Sequence, residues 1–242
     1  MGETLATYTI DCTQCYGEKG YLQLVNGHEY WITCECYKQA QEKKQLLDLF
    51  KSARVPKRYM HKTLDNFNQS RQPKAFNIVE TYLKNWDAIR HNGGGLIFVG
   101  DVGSGKTHLA FALLGEILKK GAKGLAATVP DLMDDLRPKK GETTDKQESQ
   151  IETLKKIDFV VLDDLGAQRN TEWVTERLFI IINARYNNML PTIITSNETL
   201  ESLEKLLGWK RIVDRIVEMN SIVLMDGESY RLEKAKGEAE NR

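Results

Sequence analysis

From about residue 63 onward, short apolar runs alternate with longer segments of helical periodicity. Runs with the length of buried strands lie at residues 96–100, 124–129, 159–166, 192–197 and 221–225. Between them apolar residues recur every three or four positions, which predicts helices near residues 75–89, 106–120 and 174–189. Buried strands that alternate with helices predict an α/β fold, a five-stranded parallel sheet covered by helices on both faces.

The amino-terminal part of the chain follows a different pattern. Residues 1–37 are rich in turn formers, and residues 38–62 predict a basic helix that runs into a linker, with Pro56 ending the helix. Residues 138–150 are polar and predict a mobile loop. We therefore expect three regions: an amino-terminal region over 1–55, a single α/β domain over 56–235 and a polar tail over 236–242.

Composition narrows the classes of partner. The chain of 242 residues carries 34 basic and 34 acidic side chains, so contact with nucleic acid requires a local basic patch. The stretch over 38–62 is a candidate for such a patch, because its only acidic residues are Glu42 and Asp48. Its basic residues are Lys38, Lys43, Lys44, Lys51, Arg54, Lys57, Arg58 and Lys62. No stretch approaches the roughly 18 apolar residues of a membrane span, and the first residues lack the apolar core of a signal peptide. These features predict a cytoplasmic protein without a membrane partner.

The strongest chemical signal follows the first predicted strand of the sheet. Residues 100–107 read GDVGSGKT and fit the phosphate-loop pattern G-x-x-x-x-G-K-[ST]. Glycines let backbone N–H groups point at phosphate oxygens, Lys106 reaches the β- and γ-phosphates, and Thr107 ligates Mg²⁺. The predicted nucleotide-binding residues are Gly100, Asp101, Val102, Gly103, Ser104, Gly105, Lys106, Thr107 and His108.

Two further strand ends carry polar groups for the same site. The strand at 159–166 delivers Asp163, predicted to hold Mg²⁺, and Asp164, predicted to orient the attacking water. The strand at 192–197 ends in Asn197, whose amide could position that water beside the γ-phosphate. Asn197 or Ser196 could instead cap the helix that follows.

All four cysteines lie within residues 12–36, as Cys12-x-x-Cys15 and Cys34-x-Cys36. Four thiolates on two turns suit tetrahedral Zn²⁺, and a turn-rich segment without a core needs such a cross-link. Free cysteines on a flexible arm and a redox-active C-x-x-C remain as alternatives, and His28 could replace one ligand.

The order of these motifs decides among the phosphate-loop classes. The chain contains no N-K-x-D guanine reader and no L-S-G-G-Q-like signature, which argues against a GTPase and a transporter-type ATPase. A phosphate loop, an acid pair on a later strand and an asparagine after the next strand are the order of AAA+ ATPases.

Longer motifs resemble one family within that class. The stretch VVLDDLGAQRNTEWVTERLFIIINARYNNMLPTIITSN, with HKTLDNF at 61–67, GDVGSGKTHLA and GESYR at 227–231, is similar to the bacterial and phage replicative-helicase loaders of the DnaC/DnaI family. The resemblance covers roughly residues 55–235. The cysteine pairs look like the zinc-binding segment of some members.

That resemblance implies an ATP-dependent loader that binds a hexameric replicative helicase and places it on single-stranded DNA. Arg215 matches the arginine finger that reaches a neighbouring subunit's γ-phosphate, and Arg231 matches the second sensor arginine; Arg211 could be the finger instead, or contact DNA. The amino-terminal region would bind zinc and the helicase, and its basic stretch could touch either DNA or protein.

Two departures from the general AAA+ pattern change the expected behaviour. Asp163-Asp164 replaces the usual aspartate–glutamate pair, which implies slow hydrolysis. Few residues follow Arg231, so the lid is minimal and self-association through the AAA+ interface would need the helicase as a scaffold.

Two other functions stay open at this point. An IstB-type transposition ATPase shares the core and would bind duplex DNA without a helicase, although the cysteines argue against it. A non-catalytic module would use ATP only as a conformational ligand.

Overall fold

The computed structural model describes residues 12–137, 145–230 and 232–233. The chain divides into two compact units, Met1–Asp48 and Leu49–Arg242, and the boundary falls within the first helix. Part of the predicted loop, residues 138–144, and the predicted tail over 236–242 lie outside the described residues. In the described part of the chain, no helix is both long and apolar enough to cross a membrane.

The first unit contains a β-hairpin that the sequence pattern did not reveal. Strands β1 (Gly20–Val25) and β2 (His28–Thr33) pair antiparallel through a two-residue turn. Asn26 and Gly27 form that turn with φ of 52° and 82°, the left-handed conformations that a tight hairpin turn requires. Helix α1 (Glu35–Ser52) follows. It ends before Pro56, with Arg54 at φ 58°.

The second unit is built on one parallel sheet. Its strands are β3 (Gly95–Val99), β4 (Gly124–Thr128), β5 (Phe159–Asp163), β6 (Thr192–Ser196) and β7 (Asn220–Leu224). They lie in the order β4-β5-β6-β3-β7, and all pairs are parallel. The predicted fold class is therefore confirmed, and each observed strand lies within one residue of the predicted start.

The helices of this unit differ from the prediction in two places. The predicted helix around residues 75–89 is two helices that meet at Asn85. Residues 145–150, predicted as loop, belong to a helix with acidic residues in its first turn and lysines in its last, which favour helix formation. The helices are α2 (Pro73–Lys84), α3 (Trp86–Asn92), α4 (Lys106–Lys119), α5 (Val129–Asp135), α6 (Asp145–Lys156), α7 (Glu172–Asn187), α8 (Leu200–Leu207) and α9 (Lys210–Met219).

The sheet is covered on both faces, so its central strands are buried along their whole length. Every residue of β3, β5 and β6 is buried. One large apolar cluster joins these strands to α5, α7, α8 and α9. Because side chains along the strands are committed to this core, the chemistry must sit where the strands end.

A buried arginine fastens the opposite, amino-terminal end of the sheet. Arg185 of α7 is fully buried, and its guanidinium donates to the carbonyls of Leu154 (2.7 Å), Ile157 (2.9 Å) and Pro191 (2.8 Å). It also donates to the hydroxyl of Thr192 at 2.8 Å. Burial lowers the pKa of Arg185 to about 9, which leaves the side chain charged at neutral pH. Arg185 is thus a structural cross-link between α6, α7 and β6.

Candidate functional site: a phosphate loop at the carboxyl edge of the sheet

The phosphate loop connects β3 to α4 and depends on glycine at its turning points. Gly100, Gly103 and Gly105 have φ of 147°, 86° and 105°, a region that other residues rarely adopt. Gly105 also has no room for a side chain, because a Cβ at this position would lie 2.8 Å from the ring of Phe67. The loop therefore presents its backbone N–H groups at the positive end of α4, an arrangement that binds phosphate.

Lys106 and Ser104 place polar side chains inside this loop. Lys106 is only 4% exposed, and its Nζ donates to the carbonyls of Gly100 (2.8 Å) and Asp101 (2.6 Å). The Ser104 hydroxyl is buried and has no hydrogen-bond partner among the described residues. A buried, unsatisfied donor beside a lysine fits a site that receives an anion.

The acid pair lies at the end of β5 and is fastened to β6 by a residue that the sequence analysis missed. Thr195 is completely buried; its hydroxyl donates to Asp163 Oδ1 at 2.6 Å and accepts the backbone N–H of Asp164 at 2.9 Å. Asp164 itself is held at φ 57°, an uncommon conformation for aspartate. A hydroxyl within the buried strand TIITS was the only sequence signal for this contact.

The geometry around Asp163 fits a bound cation. Burial raises the pKa of Asp163 to about 6. Hydrogen bonds from Thr195 and Thr107 and the charge of Lys106 lower this pKa, but the effect of burial is larger. Its second oxygen, Oδ2, is buried without a partner of hydrogen-bond geometry in the described part of the chain. A buried carboxylate oxygen beside the Thr107 hydroxyl is a donor set that Mg²⁺ prefers.

Asn197 lies between the two halves of the site. It directly follows β6, the strand between β3 with the phosphate loop and β5 with the acid pair. The alternative capping role belongs to another residue, because Thr199 is the N-cap of α8 and accepts the N–H of Ser202. Asn197 is exposed and faces the same cavity as Asp164 and Lys106.

Residues 102–108, Asp164 and Asn197 share one cavity of about 810 Å³, and the buried Asp163 is not part of its lining. The phosphate loop, Asp164 and Asn197 form one part of the lining. The remainder comes from the segment before α2 and from the chain's carboxyl-terminal part, namely Arg58, Tyr59, Lys62, Asn66, Phe67, Asn68, Arg71 and Tyr230. Three aromatic rings and two amides beside a phosphate loop suit a base and ribose.

The segment over 57–71 is attached to α4 by contacts that the motif HKTLDNF did not reveal. His108 hydrogen bonds the carbonyl of Thr63 at 2.9 Å, and the ring of Phe67 packs edge-on against His108 at 5.1 Å. Tyr59 stacks on Phe111 at 4.7 Å. Burial lowers the pKa of His108, which favours its neutral form. His108 therefore supports the wall of the cavity.

The predicted arginines lie elsewhere. Arg215 of α9 is half-buried, with its guanidinium over the rings of Phe179 (5.0 Å) and Tyr186 (5.6 Å) of α7. Arg211, one turn earlier, is exposed. Neither lines the cavity of its own chain, and Arg215 packs against the two rings of α7. Arg231 lies outside the described residues.

In the first unit the four cysteines cluster. Their sulfur atoms all lie within 4.8 Å of one another, with Sγ–Sγ distances of 3.7 Å (Cys12–Cys34), 3.4 Å (Cys15–Cys36) and 3.3 Å (Cys34–Cys36). A tetrahedral zinc ion with Zn–S bonds of about 2.3 Å would separate its sulfurs by about 3.8 Å. Hydrogen bonds from the backbone of Cys15 and Gln14 lower the pKa of Cys12 to about 6. His28 is not a member of this cluster.

A phosphate loop after β3, an acid pair at the end of β5 and a polar residue after β6, which lies between those two strands, are the arrangement of an AAA+ nucleotide-binding domain. Within that class the chain belongs to the family described as IstB-like ATP binding proteins, whose profile matches residues 31–239.

Individual relatives carry more specific names. The replicative helicase loader DnaC of Escherichia coli K12 is 30% identical over 66% of this chain, and the match spans only 64% of DnaC. A protein of insertion sequence IS5376 from Geobacillus stearothermophilus is 27% identical over 84% of this chain and 79% of its own length. A crystal structure of the DnaC helicase loader superimposes with a TM-score of 0.59 and 34% identity, covering 70% of this chain and 99% of that one.

The contact between Thr195 and the acid pair yields a first prediction. Thr195→Val keeps the shape but removes a hydrogen bond to a charged group, worth about 1.5–3 kcal/mol. We expect ATP hydrolysis to fall by roughly 10–100-fold. The Mg²⁺ concentration for half-maximal rate should rise, because the pKa of Asp163 rises further without its donor. Steady-state phosphate release measures both.

Thr195→Ser, which keeps the hydroxyl, is the matched control and should retain most of the activity. Equal rates for Thr195→Val and the wild type would contradict this role for Thr195.

Proposed function

We propose that this protein is an ATP-dependent loader that binds a hexameric replicative helicase and delivers it onto single-stranded DNA. The observation that carries the proposal is the likeness to the DnaC helicase loader at 34% identity over 99% of the crystallised chain. The cavity described above supplies a nucleotide site for such a loader.

Five residues of the site share the tasks of ATP hydrolysis. Lys106 neutralises the β- and γ-phosphates. Thr107 and Asp163 would hold Mg²⁺, which would offset phosphate charge. Asp164 orients the attacking water and takes up its proton, and Asn197 holds the same water from the neighbouring strand end. The short aspartate base supports slow turnover until assembly improves its alignment.

The first unit supplies the zinc site and a surface for the helicase. Leu22 and Leu24 lie on the same face of the hairpin, and Leu22 is directly opposite Trp31. These side chains are 61%, 69% and 58% exposed. An apolar stripe of this kind on a small unit favours a protein partner. The basic residues of α1 could then contact either DNA or the helicase.

A second candidate function has its own support. The family profile and the insertion-sequence relative favour an IstB-type transposition ATPase that binds duplex DNA. The cysteine cluster and the exposed hairpin favour the loader. A third candidate, a non-catalytic ATP-binding module, would bind ATP without hydrolysing it in the presence or absence of single-stranded DNA.

The loader proposal predicts that the hairpin captures the helicase. Leu24→Asp places a charge in the apolar stripe, and burying that charge in an interface should weaken helicase binding at least about tenfold. Gln23→Asp makes the same charge change on the opposite face and should bind like the wild type. Affinity is measured with the cell's purified replicative helicase, followed by transfer of helicase to a single-stranded DNA circle.

Equal affinity of both variants for the helicase would contradict the proposal that the apolar stripe of the hairpin binds it. If the wild-type protein does not bind the helicase but binds duplex DNA in an ATP-dependent manner, the transposition function is supported instead.

The cysteine cluster predicts about one zinc ion per chain in freshly purified protein. Cys34→Ser should lower the zinc content and destabilise the first unit, because thiolate ligation supplies the cross-link. His28→Ala should retain zinc. Metal analysis by mass spectrometry, with circular dichroism before and after chelation, tests both; substoichiometric zinc in the wild type would overturn the site.

We also propose that an arginine of α9 completes the site of a neighbouring subunit. Such a finger is worth on the order of 10³–10⁵ in rate in related NTPases. Arg211→Ala and Arg215→Ala are compared, and the variant that loses hydrolysis while keeping ATP affinity identifies the finger.

Mixing the finger variant with Lys106→Ala subunits should restore activity, since one supplies the intact pocket and the other the intact arginine. A mixture no more active than its components would count against a shared site.

A further inference from the structure

The chain passes back along the phosphate loop after β7. We call residues 225–230 the closing strap. Its backbone N–H groups donate to the Val99 carbonyl from Met225 (2.8 Å), to Asp101 Oδ2 from Gly227 (3.3 Å) and to the Gly103 carbonyl from Tyr230 (3.2 Å). A Cβ on Gly103 would overlap the hydroxyl of Ser229. The closing strap is therefore in direct contact with the outer side of the phosphate loop.

Arg71 joins this strap to the other wall of the cavity. Its Nη2 donates to the Glu228 carbonyl at 2.7 Å, and its Nη1 bonds the carboxylate of Glu233. Its guanidinium also lies 5.5 Å from the centre of the Tyr230 ring. The next residue, Gln72, donates to the Asp226 carbonyl at 2.8 Å. One side chain thus engages the strap through a carbonyl and a ring, and the nearby Glu233 through its carboxylate.

The two segments that Arg71 connects are both walls of the nucleotide cavity. Arg71 and Tyr230 line it together with Phe67, which packs on the phosphate loop at Gly105 and on His108. The phosphate end already has Lys106, the loop N–H groups and the acid pair. Because the Arg71 donors are engaged by the strap, the side chain is suited to hold the wall in place and not to ligate phosphate.

We propose that Arg71 is a positioning residue that clasps the closing strap to the segment over 57–71 and so forms the wall around base and ribose. Nucleotide release then requires this clasp to open. This inference rests on ATP binding in the proposed function, but not on the helicase as partner.

The test separates the base-and-ribose wall from the phosphate site. Arg71→Ala should speed the dissociation of a fluorescent ATP analogue on the order of tenfold, as expected for the loss of hydrogen bonds to a charged group. The affinity for inorganic tripolyphosphate, which has no base or ribose, should change less than about twofold. Hydrogen exchange at the amides of Gly227 and Tyr230 should also accelerate in the nucleotide-free protein.

Two further variants control for charge and for folding. Lys74→Ala removes an exposed cation of α2 that does not line the cavity, and it should release nucleotide at the wild-type rate. Glu233→Ala removes one of the three Arg71 contacts at an exposed position and should give a smaller acceleration than Arg71→Ala. Thermal melts show whether each variant is folded.

Wild-type release rates in folded Arg71→Ala and Glu233→Ala would overturn the proposal. An equal loss of ATP and tripolyphosphate affinity in Arg71→Ala would also overturn it, because Arg71 would then act on phosphate. If the loader function is wrong, the result differs: the wild-type protein then binds and releases nucleotide as described but does not bind the helicase.

Discussion

The hydrogen bond from Thr195 to Asp163 is the interaction on which the candidate site depends. Both side chains are completely buried where β5 and β6 end, and they meet at 2.6 Å. The same hydroxyl accepts the N–H of Asp164 and fixes that residue at φ 57°. A left-handed aspartate is costly and persists only where its surroundings hold it. The apolar sheet supplies that rigidity, so core packing and catalytic geometry are coupled at one residue.

At the amino-terminal end of the sheet, by contrast, a buried charged group has all its hydrogen-bond partners within the protein. Arg185 is satisfied by backbone carbonyls and one hydroxyl, with no orphaned atom, and its role is structural. At the carboxyl end, Ser104 Oγ and Asp163 Oδ2 remain buried without partners among the described residues. A buried hydroxyl and a buried carboxylate oxygen without partners, both close to a phosphate loop, fit a site that receives a ligand.

Much of this architecture was predictable from the sequence because the signals are local. Apolar runs located the strands, and the spacing of Gly100 to Thr107 located the phosphate loop. The break at Asn85 was not predictable, since apolar periodicity continues across it. The start of α6 was missed because its polar residues favour helix through the placement of their charges, and not through apolar spacing.

The parts that could not be predicted are contacts between distant segments. Thr195 with Asp163, His108 with Thr63, and Arg71 with Glu228 join residues far apart in the chain. No spacing rule encodes such pairs, because sheet order and loop paths decide them. The hairpin was missed for a related reason: its strands expose apolar residues on both faces, so they lack the alternation that marks a half-buried strand.

The roles of the cavity residues all require that ATP binds at the phosphate loop through Lys106. Calorimetric titration of MgATP into wild-type and Lys106→Ala protein tests it most directly, with circular dichroism to show that both are folded. We predict saturable binding of about one nucleotide per wild-type chain and no measurable binding by Lys106→Ala at the same concentrations. Binding of equal affinity to both proteins would contradict the account.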